Sequence, residues 1–293
     1  MLHTIQNENL ICTITSKGAE IRSLINKETG EEYIWQIDSS VWGSSSPVLF
    51  PAIGNIKENK MVFNGEDYAM TKHGIIRNNE QLDFQQQDAS SCSFTLTSSD
   101  ETLRQYPYKF HFRVSFTLVE YRLLMTYTVT NNDTVPMHFA CGGHTAYACP
   151  LDEHTALSDY IIEFPEPLNL ESRTLGNSGL LSPKKRSIKT NGGLLPLSKT
   201  LFNEDALIFT DITHDWVRLR KKDKKKGVIV RFKDYPNLAL WSKPAADYVC
   251  IEPWLGLPDS EDESIDITKK GSYKTLAPGA TFDITIETEI EQN

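Results

Sequence analysis

Three short segments of the sequence each place a proton-transferring side chain beside a turn. They are TKHGIIRN (71–78), CGGHTAY (141–147) and CIEPWLGLPD (250–259). Their reactive residues are His73, His144 and Glu252, and imidazole and carboxylate groups are the usual agents of general acid–base catalysis. Sites are commonly built from loops at the rim of a rigid scaffold. If the strand ends converge, we expect the three side chains to line one cavity.

Glu252 is the most informative of the three residues. It lies in a strand-like stretch directly before Pro253 and Trp254, which indicates partial burial. A buried carboxylate costs free energy unless it is paired or has a function. Trp254 offers a flat apolar surface suited to a sugar ring, although core packing is at least as common a use of tryptophan. A lone histidine is more often structural than catalytic, so neither His73 nor His144 identifies a site by itself.

Metal and cofactor motifs are weak in this sequence. Cys141 and Cys149 flank His144 but lack the tight ligand spacing of structural zinc sites. His138 and His144 could share a metal with Glu252, yet no HExxH or facial-triad pattern supports such a site. No Gly-rich nucleotide-binding loop or GxSxG nucleophile motif occurs either. We therefore expect neither a metal nor another cofactor.

The elements that must position these residues are strands, because apolar and polar side chains alternate along most well-patterned segments. The alternation is clearest in residues 109–118 and resumes after a short turn in residues 123–129, which predicts a long antiparallel hairpin. Similar patterns occur at 137–141, 159–164, 237–242, 247–252 and 282–290. Helical periodicity is scarce, and residues 100–106 are the best candidate for a short helix.

Strands at intervals of about ten to twenty residues, separated by Gly, Pro and Asn, favour an all-β fold built as a large antiparallel β-sandwich. No repeat or linker divides the chain, so we expect a single domain over residues 1–293. The turn-rich segment 170–200 is expected to cover one end of the sheets and could act as a lid. The basic run 218–227 predicts an exposed hairpin tip, and the acidic run 258–266 predicts a solvated loop.

Composition excludes several classes of function. The formal charge of −9, from 30 Lys and Arg against 39 Asp and Glu, repels phosphate backbones and anionic lipid surfaces, so we expect no nucleic-acid or membrane partner. No apolar run approaches the roughly 18 residues needed to cross a bilayer. The first residues do not resemble a secretory signal, which makes a cytoplasmic location the expectation. The five cysteines are widely spaced without a CxxC pair, as is typical of reduced thiols.

Six segments in this order resemble those of the aldose 1-epimerase (galactose mutarotase) family, in particular its bacterial galactose-mutarotase-related, LacX-like branch. They are SSPVLFPAIGN (45–55), HGIIRN (73–78), ETLRQYPYKF (101–110), GGHTAYACP (142–150), NEDALIF (203–209) and LALWSKP…YVCIEPWLGLPD (238–259). The resemblance implies a galactose mutarotase-like supersandwich with very little helix, in agreement with the strand pattern. It also implies interconversion of the α and β anomers of a free hexose such as galactose or glucose, without metal or nucleotide.

Roles for individual residues follow from the same resemblance. His144 matches the general acid of the family and Glu252 its general base. His73 matches the second histidine, which holds the sugar, and Asp205 resembles the aspartate that binds a sugar hydroxyl. Trp254 is expected to provide the apolar surface beneath the ring.

One position departs from the family pattern. Related sequences usually read F-P-x-I-G-R where this chain reads FPAIGN, so Asn55 replaces an arginine expected to contact a sugar hydroxyl. Arg77 is retained in HGIIRN and could compensate in part. The substitution leaves the substrate open.

The implied reaction sets a requirement on the two catalytic groups. Opening a cyclic hemiacetal needs removal of the C1 hydroxyl proton and protonation of the ring oxygen, so one base and one acid suffice. Glu252 must then start ionised and His144 protonated, and we expect a nearby carboxylate, Glu252 or Asp205, to keep His144 charged near neutrality. A glycosidase would ordinarily need two flanking carboxyl groups, and only Glu252 is nominated.

Two other functions stay open at this point. In a hexose-6-phosphate mutarotase, Arg77, Lys72 or another basic residue would hold the phosphate. In a non-catalytic carbohydrate-binding protein, the sandwich and the aromatic surface would remain without efficient chemistry. The presence of both His144 and Glu252 favours an enzyme, and the oligomeric state is left open between monomer and homodimer.

Overall fold

The computed structural model describes residues 1–152, 154–166 and 170–292. Strands dominate, and we number them β1 to β24 in chain order. The first twelve are Leu2–Gln6, Leu10–Thr15, Glu20–Asn26, Val48–Leu49, Lys60–Phe63, Glu66–Ala69, Asp83–Asp88, Ser91–Thr97, Phe110–Val119, Arg122–Asn131, Met137–Phe139 and Cys141–Gly143. The other twelve are Thr145–Ala148, Tyr160–Glu163, Leu170–Leu175, Leu181–Ile188, Leu194–Pro196, Leu207–Thr210, Trp216–Lys221, Val228–Arg231, Asn237–Trp241, Tyr248–Leu255, Lys274–Leu276 and Thr281–Ile290.

Helix is limited to short segments in the described ranges. The α-helix α1 spans Asp100–Leu103, which confirms the predicted short helix but ends it three residues earlier. The Ser99 hydroxyl caps it by accepting the Thr102 N–H at 3.3 Å. Four single 3₁₀ turns complete the helical content: Lys17–Ala19, Lys57–Asn59, Leu157–Asp159 and Ile267–Lys269. None of the described helices is long and apolar enough to cross a membrane.

Two large antiparallel sheets form the body of the fold, as the alternating patterns predicted. One has nine strands in the order β17-β14-β19-β20-β24-β10-β9-β8-β7. The other has eight, in the order β16-β15-β18-β21-β22-β12-β4, with β13 also paired to β22. The sheets meet through side chains, for example where the Tyr127 hydroxyl of β10 donates to the Gly142 carbonyl of β12 at 3.1 Å. The large antiparallel sandwich is therefore confirmed.

The predicted 109–129 hairpin lies within the nine-stranded sheet, beside its middle strand β24. Strands β9 and β10 pair in continuous register from Arg122↔Val119 to Asn131↔Phe110. Every second residue of β9 is buried, beginning with Phe110 and ending with Leu118. One apolar cluster extends from Ile5 to Ile290 and includes side chains of both sheets. This contiguous core supports a single domain, which remains our proposal.

Three expectations about loops have different outcomes. The basic run is exposed, as predicted, only at residues 222–226 in the turn between β19 and β20, because residues 218–221 belong to β19. The segment 170–200 is less turn-rich than predicted, because β15 and β16 form a hairpin whose tip is residues 176–180. The solvated loop expected at 258–266 is wrong at Asp259, which is buried and ion-paired with Lys270 at 2.6 Å. A lysine in a later turn supplies this partner, and the local sequence does not reveal it.

Candidate active site

Strand pairing in the eight-stranded sheet brings His144 and Glu252 together. Strand β12 pairs Gly142 with Trp254, and β13 continues with Thr145 opposite Ile251. The two pairs share one register, which places His144 directly across from Glu252 on the same face of the sheet. The Nε2 atom of His144 accordingly lies 3.3 Å from Oε2 of Glu252.

The two glycines before His144 are required by packing. A Cβ atom at Gly142 would lie 2.6 Å from the Pro253 carbonyl oxygen, and one at Gly143 would lie 2.7 Å from the Ile286 side chain. Gly142 therefore lets β12 approach β22, while Gly143 lets it approach the opposite sheet. These close approaches position His144.

A strained turn delivers His73 to the same place. His73 has a φ of 69°, and a Cβ atom on the following Gly74 would lie 2.2 Å from the Phe50 carbonyl oxygen. The Gly54 N–H donates to Nδ1 of His73 at 3.1 Å. Burial lowers the pKa of His73 well below its ordinary value, and the charges of His144, Lys72 and Arg77 act in the same direction. The neutral ring therefore carries its proton on Nε2, where it can donate to a ligand oxygen.

A cavity of about 370 Å³ collects all seven residues expected from the sequence: His73, His144, Glu252, Arg77, Asp205, Asn55 and Trp254. Its volume lies within the range of about 300–1,000 Å³ typical of small-molecule sites. Three larger hollows, of about 490, 570 and 710 Å³, have no histidine among the described residues that line them. The predicted acid–base residues therefore converge on a single cavity.

The further lining residues that were not assigned to a sugar site from sequence include Trp42, Trp241, Lys243 and Leu175. The Trp42 ring stacks on His144 with centroids 5.2 Å apart, and Trp241 meets the same imidazole edge-on at 5.7 Å. Trp241 lies within the segment 238–259 that resembles the family, and Trp42 lies just before the segment 45–55, which was the available signal. Lys72, considered only as a phosphate ligand, also lines the cavity.

Asn55 binds protein as well as lining the cavity. Its Nδ2 donates to the Ser178 carbonyl at 3.0 Å, and a Cβ atom at Gly179 would lie 2.2 Å from the same nitrogen. The 176–180 tip is also held by the Leu181 N–H, which donates to the Asp259 carbonyl at 2.8 Å. The tip forms one wall of the cavity, and Asn55 is one of its attachments.

Several buried polar atoms of the site have no hydrogen-bond partner. They are Nδ1 of His144, Oε2 of Glu252 and Nε1 of Trp254. Orphaned buried polar atoms are costly and require an explanation, such as a bound water or ligand. Their concentration beside one cavity is consistent with a ligand rich in hydroxyl groups.

Burial opposes the protonation state expected from sequence. Burial, reinforced by the positive charges of Arg77 and Lys72, lowers the pKa of His144. Burial also raises the pKa of Glu252 well above its ordinary range, with Asp205 adding to the effect and Lys72 and Arg77 opposing it. In the empty cavity the pair therefore favours a neutral imidazole and a protonated carboxyl group. The expectation that nearby carboxylates keep His144 charged is wrong because desolvation is the larger effect.

Comparison with known proteins identifies the family of this chain. The sequence profile of the aldose 1-epimerase family matches residues 1–287. The chain is 30% identical to the chromosomal protein LacX of Lactococcus lactis subsp. lactis, over 96% of this chain and 98% of that protein.

Two solved structures are similar over nearly their full lengths. A galactose mutarotase related enzyme from Lactobacillus acidophilus is 31% identical, with a TM-score of 0.93 over 100% of this chain and 98% of that chain. A galactose mutarotase-like protein from Lactobacillus casei is 28% identical, with a TM-score of 0.91 over 99% and 100%. With the family profile matching nearly every residue, this chain belongs to the aldose 1-epimerase family of sugar isomerases.

Proposed function

We propose that this protein interconverts the α and β anomers of a free hexose such as galactose or glucose, with His144 as general acid and Glu252 as general base. The observation that carries the proposal is the 3.3 Å separation of the two groups inside a cavity lined by tryptophans. Aromatic faces suit the apolar side of a sugar ring, and the orphaned polar atoms suit its hydroxyl groups.

The reaction requires Glu252 and His144 to carry one exchangeable proton between them. Ionised Glu252 takes the proton of the C1 hydroxyl while protonated His144 gives its proton to the ring oxygen, so the C1–O5 bond breaks and a C1 carbonyl forms. Rotation about C1–C2 presents the other face of the aldehyde. The reverse transfers then close the ring as the second anomer.

The protonation state that burial favours is the one the pair reaches after the ring opens. After the ring opens, His144 is neutral and Glu252 is protonated, which is the arrangement that desolvation favours. Burial therefore stabilises the pair that accompanies the open-chain sugar. The positive charges of Lys72 and Arg77 favour ionised Glu252 but also disfavour protonated His144, so they do not by themselves reverse this preference. The resting pair regains its starting state by proton transfer between groups 3.3 Å apart.

The remaining cavity residues are assigned to sugar binding. His73 donates from Nε2, Asp205 and Arg77 contact hydroxyl groups, and Trp254 supports the ring. Asn55 contributes through the 176–180 wall.

Polarimetry of freshly dissolved α-galactose and α-glucose tests the proposal. We expect the wild-type protein to accelerate mutarotation and Glu252→Gln, which keeps the side-chain shape, to lose most of this acceleration. Glu171→Gln changes an exposed carboxylate outside the cavity and serves as the matched control. Equal rates for Glu252→Gln and wild type would overturn the catalytic assignment.

A second candidate is a phosphorylated hexose, because three cations, Lys72, Arg77 and Lys243, line the cavity. The neighbouring 710 Å³ hollow shares Asp205 and Lys243 and adds Lys184. A comparison of kcat/KM for glucose and glucose 6-phosphate discriminates the two substrates. A preference for the phosphate that disappears in Lys243→Ala would replace the free hexose as the proposed substrate.

A further inference from the structure

A buried thiol lies directly beside the acid–base pair. Cys250 precedes Glu252 by two residues on β22, so both side chains project from the same face of the sheet. The thiol is wholly buried among Ala146, Tyr248 and the cavity tryptophans. The proposed reaction does not use it.

Together, Cys250, His144 and Glu252 present three potential metal ligands. One sulfur, one imidazole nitrogen and one carboxylate oxygen lie within 4.8 Å of one another. A cation placed between three atoms at such separations would lie within about 2.8 Å of each of them. Zinc bonds to these ligands are about 2.0–2.3 Å long. Side-chain shifts of about 0.5–0.8 Å would therefore complete a three-ligand site. The His144–Glu252 separation of 3.3 Å already suits neighbouring ligands of a tetrahedron.

Charge and coordination number also suit a divalent cation. A thiolate and a carboxylate neutralise a 2+ charge, and the imidazole binds as a neutral ligand, so the filled site carries no net charge in its buried position. The orphaned Glu252 Oε2 provides a free carboxylate lone pair. Because His144 and Glu252 also line the cavity, a water or sugar hydroxyl can supply the fourth ligand.

We propose that His144, Cys250 and Glu252 form an inhibitory site for a thiophilic divalent cation of the Zn²⁺ class. Thiolate and imidazole ligands select such cations over Mg²⁺. Binding releases the thiol proton and the single proton of the His144–Glu252 pair to solvent, and metal–ligand bonds replace them. This site differs from the metal arrangement of His138, His144 and Glu252 considered from the sequence, since His138 hydrogen-bonds to Thr275 in a different sheet.

The inhibitory consequence rests on the proposed function. A cation bound to Nε2 of His144 and to the Glu252 carboxylate removes the acid and the base at once. Activity should therefore fall in proportion to occupancy, without any change in fold.

Cadmium titration tests binding separately from activity, because a Cd²⁺–thiolate bond has a charge-transfer absorption in the ultraviolet. We expect wild-type protein to develop this band with one equivalent of Cd²⁺, to lose it when Zn²⁺ competes, and to show no band with Mg²⁺. Cys250→Ser should abolish the band. Cys92→Ser, which alters another wholly buried thiol on the opposite sheet, should retain it.

Mutarotation measured in the same titration tests inhibition. Wild-type turnover should fall with the growth of the band and return on addition of a chelator, whereas Cys250→Ser should require at least tenfold more Cd²⁺ for the same loss. Full turnover of wild type at saturating Cd²⁺ would overturn the inhibitory role, and an undiminished band in Cys250→Ser would overturn the site. If wild type shows no turnover at all, the proposed function fails, and the band in wild type, Cys250→Ser and Cys250→Ala still decides the site.

Discussion

His144 and Glu252 lie 108 positions apart in sequence and 3.3 Å apart in space, opposite each other on adjacent strands of a buried sheet. Their register is set by the flanking pairs Gly142↔Trp254 and Thr145↔Ile251. The close approach of these two side chains is therefore a property of the sheet ladder and needs no loop closure to form.

Removal of the imidazole should abolish most catalysis. We expect His144→Asn to lower kcat/KM by about 10²–10⁴, the usual contribution of a general acid–base group. The matched variant His138→Asn alters a histidine outside the cavity and should retain wild-type polarimetric rates. Comparable losses in both variants would indicate a general structural effect.

The pH–rate profile of the wild type should be bell-shaped, because only the pair with one proton is active. The lowered pKa of His144 moves the acid limb below about pH 6.5, and the raised pKa of Glu252 moves the alkaline limb above about pH 4.3. Initial rates measured from about pH 3 upward test both limbs. An acid limb at the ordinary imidazole pKa of about 6.5 would contradict the buried, neutral His144.

Burial of neutral His73 should make the protein less stable in acid. The unfolded chain takes up a proton on this histidine below about pH 6.5 while the folded chain does not, so the free energy of unfolding falls by up to about 1.4 kcal/mol per pH unit. His73→Gln should reduce this slope in urea unfolding at about pH 7 and 5.5.

Glu252→Gln is a control in which the free energy of unfolding should depend on pH in the opposite direction. In the folded wild type the pKa of Glu252 is raised, so this carboxyl group lowers stability as the pH rises above about 4.3. Removing the carboxyl group should reduce that loss. An unchanged acid slope in His73→Gln would mean that folded His73 binds a proton in this range.

Adding a methyl group at Gly142 should move His144 away from Glu252 without altering either side chain. The new Cβ atom would lie 2.6 Å from the Pro253 carbonyl oxygen, so Gly142→Ala must push β12 away from β22. We expect more than tenfold loss of turnover. Gly43→Ala, where no heavy atom lies within 4 Å of the new Cβ, is the matched control and should retain activity. Full activity of Gly142→Ala would show that the pair tolerates strand separation.

Asn55→Arg distinguishes two roles for this position. If Asn55 mainly attaches the cavity wall, the larger side chain displaces Ser178 and Gly179 and raises KM more than it lowers kcat. Asn55→Ala removes only the hydrogen bond and should have a smaller effect on KM. A gain in kcat/KM for Asn55→Arg would instead support direct contact between residue 55 and a sugar hydroxyl.

The buried ion pair of Asp259 and Lys270 should dominate the stability of the adjoining cavity wall. Lys270→Met leaves Asp259 charged, buried and without its main partner, and should lower the free energy of unfolding by about 3–5 kcal/mol. Lys185→Ala breaks an exposed ion pair with Glu171 and should cost less than about 1 kcal/mol. Similar costs in urea unfolding would contradict the difference in burial. Replacement of both partners by Lys270→Met and Asp259→Leu should recover part of the loss.

The sequence by itself determined the all-β class and the long hairpin of residues 109–129, and it nominated His144 and Glu252 as the acid–base residues. Alternation reports which side chains face the core, as Phe110 to Leu118 illustrate, because successive residues of a strand point to opposite faces. The segments carrying His73, His144 and Glu252 could likewise be recognised from short motifs.

Tertiary structure decided which strands pair, and therefore everything that depends on distance. The 3.3 Å pair, the stacking of Trp42 on His144 and the Asn55 attachment all join residues distant in sequence, and the buried Asp259–Lys270 pair joins residues 11 positions apart. The direction of the His144 and Glu252 pKa shifts also depends on the fold, because desolvation is set by the surrounding chain and not by neighbours in sequence.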